Sequence, residues 1–148
     1  MNSIVYIPYD LLKLTDHSAE LTIPDGYFND MSIITFNISS NGDLKRIEIG
    51  NNCFGKVRVF ELDELSELES VVIGQQSFRI SEYKRSDGSY RIVNCPKLNS
   101  IQIGYASFYD YHSFELNNLP SLQSIDIGNS CFNWAPSFSL TGLIDGLV

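Results

Sequence analysis

Four segments of the chain repeat in register, and this repetition limits the possible folds more than any other feature. They are LKRIEIGNNCF from Leu44, LESVVIGQQSF from Leu68, LNSIQIGYASF from Leu98 and LQSIDIGNSCF from Leu122. Numbered along the unit, each is apolar at positions 1, 4, 6 and 11, has glycine at 7, and has Ser or Cys at 10. A second half repeats as well. Phe60-x-Leu62-x-x-Leu65 aligns with Tyr90-x-Ile92-x-x-Cys95, Phe114-x-Leu116-x-x-Leu119 and Phe138-x-Leu140-x-x-Leu143. A degenerate first unit precedes them, with Leu21-x-Ile23, Phe28 and Phe36-x-Ile38. Counting from Ser18, the units start 26, 24, 30 and 24 residues apart.

Repeats of this length stack as a solenoid, because one unit cannot bury its own apolar face. The Ile-x-Ile of each unit alternates at period two, as a strand with one buried face does. Stacked about 4.8 Å apart, such strands form a parallel sheet over one continuous core. The spacing predicts an aromatic stack along the position-11 phenylalanines. It also predicts glycine turns after each strand, with scope for positive φ. The second half reads as strand and turn, forming an opposite wall. ELDELSELES from Glu61 has helical character, but its counterparts carry Pro120 and Gly142, and a shared repeat should share one conformation.

These residues resemble leucine-rich repeats. The pattern L-x-x-L-x-L-x-x-N-x-L appears as Leu44-x-x-Ile47-x-Ile49-x-x-Asn52-x-Phe54, while Gln76, Ala106 and Ser130 replace the asparagine elsewhere. The Ile-rich strands and the small residue before Phe look most like the BspA-like branch. The resemblance covers about residues 18–145. It implies a mainly β, right-handed solenoid of about five coils with a parallel sheet, lying in one domain. Residues 1–17 would be an N-terminal cap and 79–89 an insertion; from the residues themselves, Leu11, Leu12 and Leu14 either pack a short helix on the first coil or belong to a polar terminal helix with no partner. For function the resemblance implies a protein-interaction or adhesion surface. The alternative is a structural, self-assembling segment of a longer repeat protein.

The composition narrows the rest. Ten Lys and Arg against eighteen Asp and Glu give a net charge of −8, which disfavours nucleic acid and anionic membranes. No 18-residue apolar run suggests a spanning helix. The start of the chain lacks a basic segment followed by an apolar one, so no signal peptide is read there. That reading and free cysteines favour the cytoplasm; the family resemblance allows the cell surface. No nucleotide-binding, zinc-protease or serine-hydrolase motif is present, and His17 and His112 have no second ligand at metal spacing. The expectation is therefore no enzyme, no cofactor and no metal. Cys53 and Cys131 fall at position 10 and Cys95 at a core leucine position, so all three are expected to be free, buried packing residues.

Three places suit a protein partner. The outward column of the main sheet offers Arg46, Glu48, Gln102, Tyr105, Asp126 and Asn129. The insertion between Phe78 and Tyr90 reads as a β-hairpin turning at Asp87-Gly88 and carrying Lys84 and Arg85. An aromatic group at the coil edge comprises Tyr109, Tyr111 and Trp134, beside His112; such residues either anchor a partner or simply cap the core, and capping is the favoured reading. Charge is also segregated: residues 61–69 carry five acids and no base, while residues 79–97 carry five of the ten bases. These bases either steer an acidic partner or pair with the acidic repeat within the molecule. The last coil, from Leu122, has no polar capping composition, so three readings stand: the chain is a piece of a longer repeat protein, it self-associates through this edge, or the tail from Leu143 folds back as a lid.

Overall fold

The computed structural model describes residues 20–30, 33–39, 42–80, 88–133 and 137–143. Each unit contributes one strand to each of two walls. The first wall holds β1 (Glu20–Ile23), β3 (Arg46–Ile49), β5 (Ser70–Ile73), β7 (Ser100–Ile103) and β9 (Ser124–Ile127). The second holds β2 (Thr35–Ser39), β4 (Val59–Asp63), β6 (Gly88–Val93), β8 (Tyr111–Asn117) and β10 (Ser137–Thr141). Every neighbouring pair in either wall is parallel, in chain order. The molecule is thus a parallel β-solenoid with five strands per wall. No helix occurs among the described residues, so the Glu61 run is strand and turn.

The register is the one the repeat dictates. Leu21, Ile47, Val71, Ile101 and Ile125 stand in one column. Phe36, Phe60, Tyr90, Phe114 and Phe138 stand in another. Period-two alternation buries Ile47, Ile49, Val71, Ile73, Ile101 and Ile103 to within 2% exposure. The six-residue insertion is absorbed before β6, and β8 carries a bulge opposite Gly88/Ser89.

Between the walls lies a herringbone of rings. Phe28, Phe54, Phe78, Phe108 and Phe132 stack at centroid distances of 5.1, 4.9, 4.7 and 5.3 Å, within 17° of parallel. Phe36, Phe60, Tyr90 and Phe114 form a second stack at 5.1, 4.9 and 5.0 Å. The two meet edge to face, as in Phe60–Phe78 at 85° and Tyr90–Phe108 at 85°. Offset and T-shaped pairs are the arrangements the ring quadrupole favours. The first stack is the one expected from position 11; its interlock with a second is a property of the two walls together.

The expectation about the turn glycines needs correction. Among the described glycines only Gly26 and Gly142 have positive φ. The left-handed corners fall instead on Asn52, Gln76, Ala106 and Ser130, and on the stacked phenylalanines themselves. Asn52, Gln76 and Ala106 turn their N–H groups onto the carbonyls of Gln75, Tyr105 and Asn129 in the following coil, at 2.8–2.9 Å. A left-handed Phe is sterically costly, and here the ring stack and inter-coil hydrogen bonds over-determine it. The column glycines serve close approach. A Cβ on Gly104 would stand 2.7 Å from the carbonyl carbon of Gly74, and one on Gly74 would stand 2.8 Å from that of Gly50.

Position 10 has its own ladder. The hydroxyl of Ser77 accepts the Cys53 N–H at 3.0 Å and donates to the Gly50 carbonyl at 2.7 Å. Ser107 does the same for the Ser77 N–H, at 3.0 Å, and the Gly74 carbonyl, at 2.6 Å. These hydroxyls satisfy buried backbone groups where an apolar residue would leave them unpaired.

Candidate functional site

The outward side of the first wall is a flat face built by alternation. Position 5 presents Thr22, Glu48, Val72, Gln102 and Asp126 on successive strands, and all but the half-buried Val72 are exposed. Arg46 donates to the Ser70 hydroxyl at 3.1 Å and pairs with Glu48 at 3.4 Å. Tyr105, 49% exposed, and the exposed Asn129 edge this face. The structure therefore brings Arg46, Glu48, Gln102, Tyr105, Asp126 and Asn129 onto one continuous surface.

Of the two readings of the edge aromatics, Tyr111 follows the core-capping one. Tyr111 is fully buried, and its hydroxyl donates to the Val57 carbonyl at 2.6 Å. Its ring crosses Gly88, where a Cβ would lie 2.9 Å from the ring carbons. Tyr111 thus staples three coils together and is no surface anchor. Gly88, expected at the tip of a hairpin, is instead the first residue of β6 and is buried. Tyr109 stays half-exposed, with the Arg79 guanidinium 4.6 Å above its ring. Burial raises the Asp110 carboxyl above its ordinary range, and the charge of Arg79 works the other way. Lys84, Arg85, Trp134, residues 81–87 of the expected hairpin and the N-terminal cap lie outside the described residues.

Two of the five bases in residues 79–97, Arg91 and Lys97, pair with acids within the molecule. Arg91 bonds Glu61 at 2.6 Å and Glu115 at 3.0 Å, spanning three coils. Burial opposes the Arg91 charge, but the bonds and charges of Glu115 and Glu61 outweigh it and raise its pKa. Lys97 pairs with Glu67 at 2.9 Å, and Asn94 donates to Asp63 at 3.0 Å. Such exposed pairs contribute little stability each, about 0–1 kcal/mol. Their effect is to take three of the acidic-run carboxylates out of the free surface. Among the described residues no group of three or more His, Cys, Asp or Glu could hold a metal ion.

All three cysteines are free, with Cys53 and Cys95 buried and Cys131 only half-buried. Cys131 lies in the coil of β9, with which no further strand pairs among the described residues. Burial raises all three thiols, Cys95 to about 11. Each donates to a carbonyl: Cys53 to Pro24 at 3.1 Å, Cys95 to Val93 at 3.3 Å and Cys131 to Gly104 at 3.1 Å.

One surface feature was not foreseen. At the corner after the first wall, a groove of about 400 Å³ is lined by Asn29, Asn52, Gly55, Lys56, Gln76 and Arg79. Asn29 shapes it, donating to the carbonyls of Gly26 and Asn52 and accepting the Gly55 N–H at 2.6 Å. The signal for it in the sequence is the position-9 column, where Asn52 and Gln76 give way to Ala106 and Ser130, next to the cations at Lys56 and Arg79.

No protein family, curated protein or solved structure matches this chain.

Proposed function

We propose that the protein is an interaction or adhesion module that binds a protein partner without catalysis, as a leucine-rich repeat protein of the BspA-like branch. The observation that carries this reading is the contrast within one strand column. The inward positions repeat nearly unchanged from coil to coil. The outward position 5 varies in charge and size through Thr22, Glu48, Val72, Gln102 and Asp126. A uniform scaffold displaying non-uniform side chains is what a recognition surface requires. Binding rather than catalysis is supported by the described thiols, which are raised in pKa and donate to carbonyls. The family reading is supported by Leu44, Ile47, Ile49 and Phe54, which match the apolar pattern and are all buried.

The test is affinity capture from native extract with three baits: the wild type, a Gln102→Lys/Tyr105→Ala variant and a Ser113→Lys variant on the opposite wall. A partner lost with the first variant and kept with the second supports the reading. A partner indifferent to the first-wall face overturns that assignment of the surface.

The second reading, self-association, is favoured by one observation. In β9 Ile125 and Ile127 are only partly buried, whereas their counterparts in β3, β5 and β7 are closed over, and Leu140 is 38% exposed. Among the described residues no strand pairs with the far edge of β9, and such an edge over apolar side chains can pair with a second copy. Sedimentation velocity across a concentration series decides: a concentration-dependent dimer that Ile127→Lys abolishes supports it, and a strict monomer at high micromolar concentration contradicts it.

A further inference from the structure

The groove at the corner after the first wall gathers two cations, Lys56 and Arg79, beside the carboxamides of Asn52 and Gln76. Of the described cations, Arg46, Arg91 and Lys97 bridge carboxylates. Lys56 is half-buried in the groove and makes no ion pair among the described residues. Arg79 lies with its guanidinium over the Tyr109 ring. That stacking fixes the plane and leaves the N–H edge of the fork available. Asp110 is the acid that Arg79 feels, and it does not line the groove.

The floor is equally specific. Asn52 and Gln76 occupy the same left-handed corner of successive coils, about 4.8 Å apart at strand spacing. Their backbone N–H groups are spent on the next coil, while their carboxamides make no hydrogen bond among the described residues. Each carboxamide offers both donors and an acceptor. Such a pair matches a peptide unit, which has an N–H and a C=O to satisfy; a phosphate would leave both acceptors idle. The charge balance points the same way. Two cations, one already facing Asp110, suit one or two single negative charges, and the net charge of −8 repels a polyanion.

We propose that this groove binds an extended peptide segment bearing one or two carboxylates, with Arg79 and Lys56 on the carboxylates and the Asn52 and Gln76 carboxamides on the backbone. The proposal rests on the reading of the protein as an interaction module and names the partner chemistry of one of its surfaces. The volume, about 400 Å³, lies in the range of small-ligand sites.

The test uses fluorescence anisotropy with a labelled Gly-Ser-Glu-Ser-Glu-Ser-Gly peptide, the same peptide with Gln for Glu, and inorganic phosphate as competitor. The Glu peptide should bind, with affinity falling as salt rises. The Gln peptide should bind on the order of tenfold more weakly or not at all, as expected when charge-assisted bonds are lost. Lys56→Gln and Asn52→Ala/Gln76→Ala should each weaken the Glu peptide by a similar factor with the melting curve unchanged. Arg79→Gln should do so too, and the Lys56 variant covers the case in which loss of the Tyr109 contact unfolds the corner. Equal binding of both peptides, displacement by equimolar phosphate, or indifference to Lys56→Gln would overturn the proposal. A captured partner that depends on the first-wall face and ignores the groove variants would leave the interaction module standing and remove only the groove.

Discussion

Two tyrosines in one core should respond to the same substitution with opposite sign. Tyr90 and Tyr111 are both fully buried. The Tyr90 hydroxyl has no hydrogen-bond partner among the described residues, and its ring sits between Phe60 and Phe114 in a column otherwise made of phenylalanine. Tyr90→Phe keeps both stacks and removes an unpaired polar atom. The cost of leaving such a group buried is about 1–3 kcal/mol, so the variant should be more stable by up to that amount. Tyr111→Phe removes the donor to the Val57 carbonyl and should destabilise by about 1–3 kcal/mol for the same reason. In a chain of this size each kcal/mol moves Tm by about 2–4 °C, so calorimetry separates the two variants. The pH dependence follows in sign. Burial raises both phenols above their ordinary value of 10.0. Above that pH the unfolded chain releases protons that the folded chain holds, so stability is full below pH 10 and falls as pH rises past it. Each phenol contributes a slope of about 1.4 kcal/mol per pH unit there, and each Phe variant should flatten it. If Tyr90→Phe and Tyr111→Phe shift Tm in the same direction, the hydrogen-bond assignment of this core is wrong.

Other consequences are read with the same instruments. Ser77→Ala leaves the Cys53 N–H and the Gly50 carbonyl without their partner and should cost about 1–3 kcal/mol per group; Ser77→Cys, the residue its sibling positions use, should cost less, by denaturant titration. Ile101→Asp places an unpaired charge in the core at a cost of several kcal/mol, enough to unfold the chain, whereas Gln102→Lys on the outward face should melt with the wild type; equal melting of the pair would reject the strand assignment. Native protein should expose Cys131 to a thiol reagent before Cys53 and Cys95, and three thiols should titrate in denaturant without reductant.

What the sequence made legible was everything carried by the repeat. Period-two alternation placed Ile47 and Ile49 inward and Glu48 outward. The in-register phenylalanines announced their stack, because identical side chains in identical coils must lie over one another. What escaped depends on relations between coils that no single unit contains. Tyr111 reads as an edge aromatic because it sits in a short polar connection. Its burial comes from Gly88, one coil below, which leaves room for the ring, and from Val57, two coils below, whose carbonyl accepts its hydrogen bond. The turn glycines were misread for a related reason. Glycine after a strand suggests freedom in φ, whereas Gly74 and Gly104 are small because the next backbone passes within contact of them. Left-handed phenylalanines are unreadable from propensity, since only a completed stack can hold them. The corner groove draws on three coils, so its cations and carboxamides look unrelated along the chain.

The account stands on one relation, the parallel stacking of each unit on the next with the glycines in one column. Through-hydrogen-bond NMR couplings report it directly. The account predicts correlations from the amides of Gly50, Gly74, Gly104 and Gly128 to the carbonyls of Ile23, Ile49, Ile73 and Ile103, matching donor–acceptor distances of 2.8–2.9 Å. Couplings to carbonyls within the same unit, or a pattern of antiparallel pairs, would contradict it.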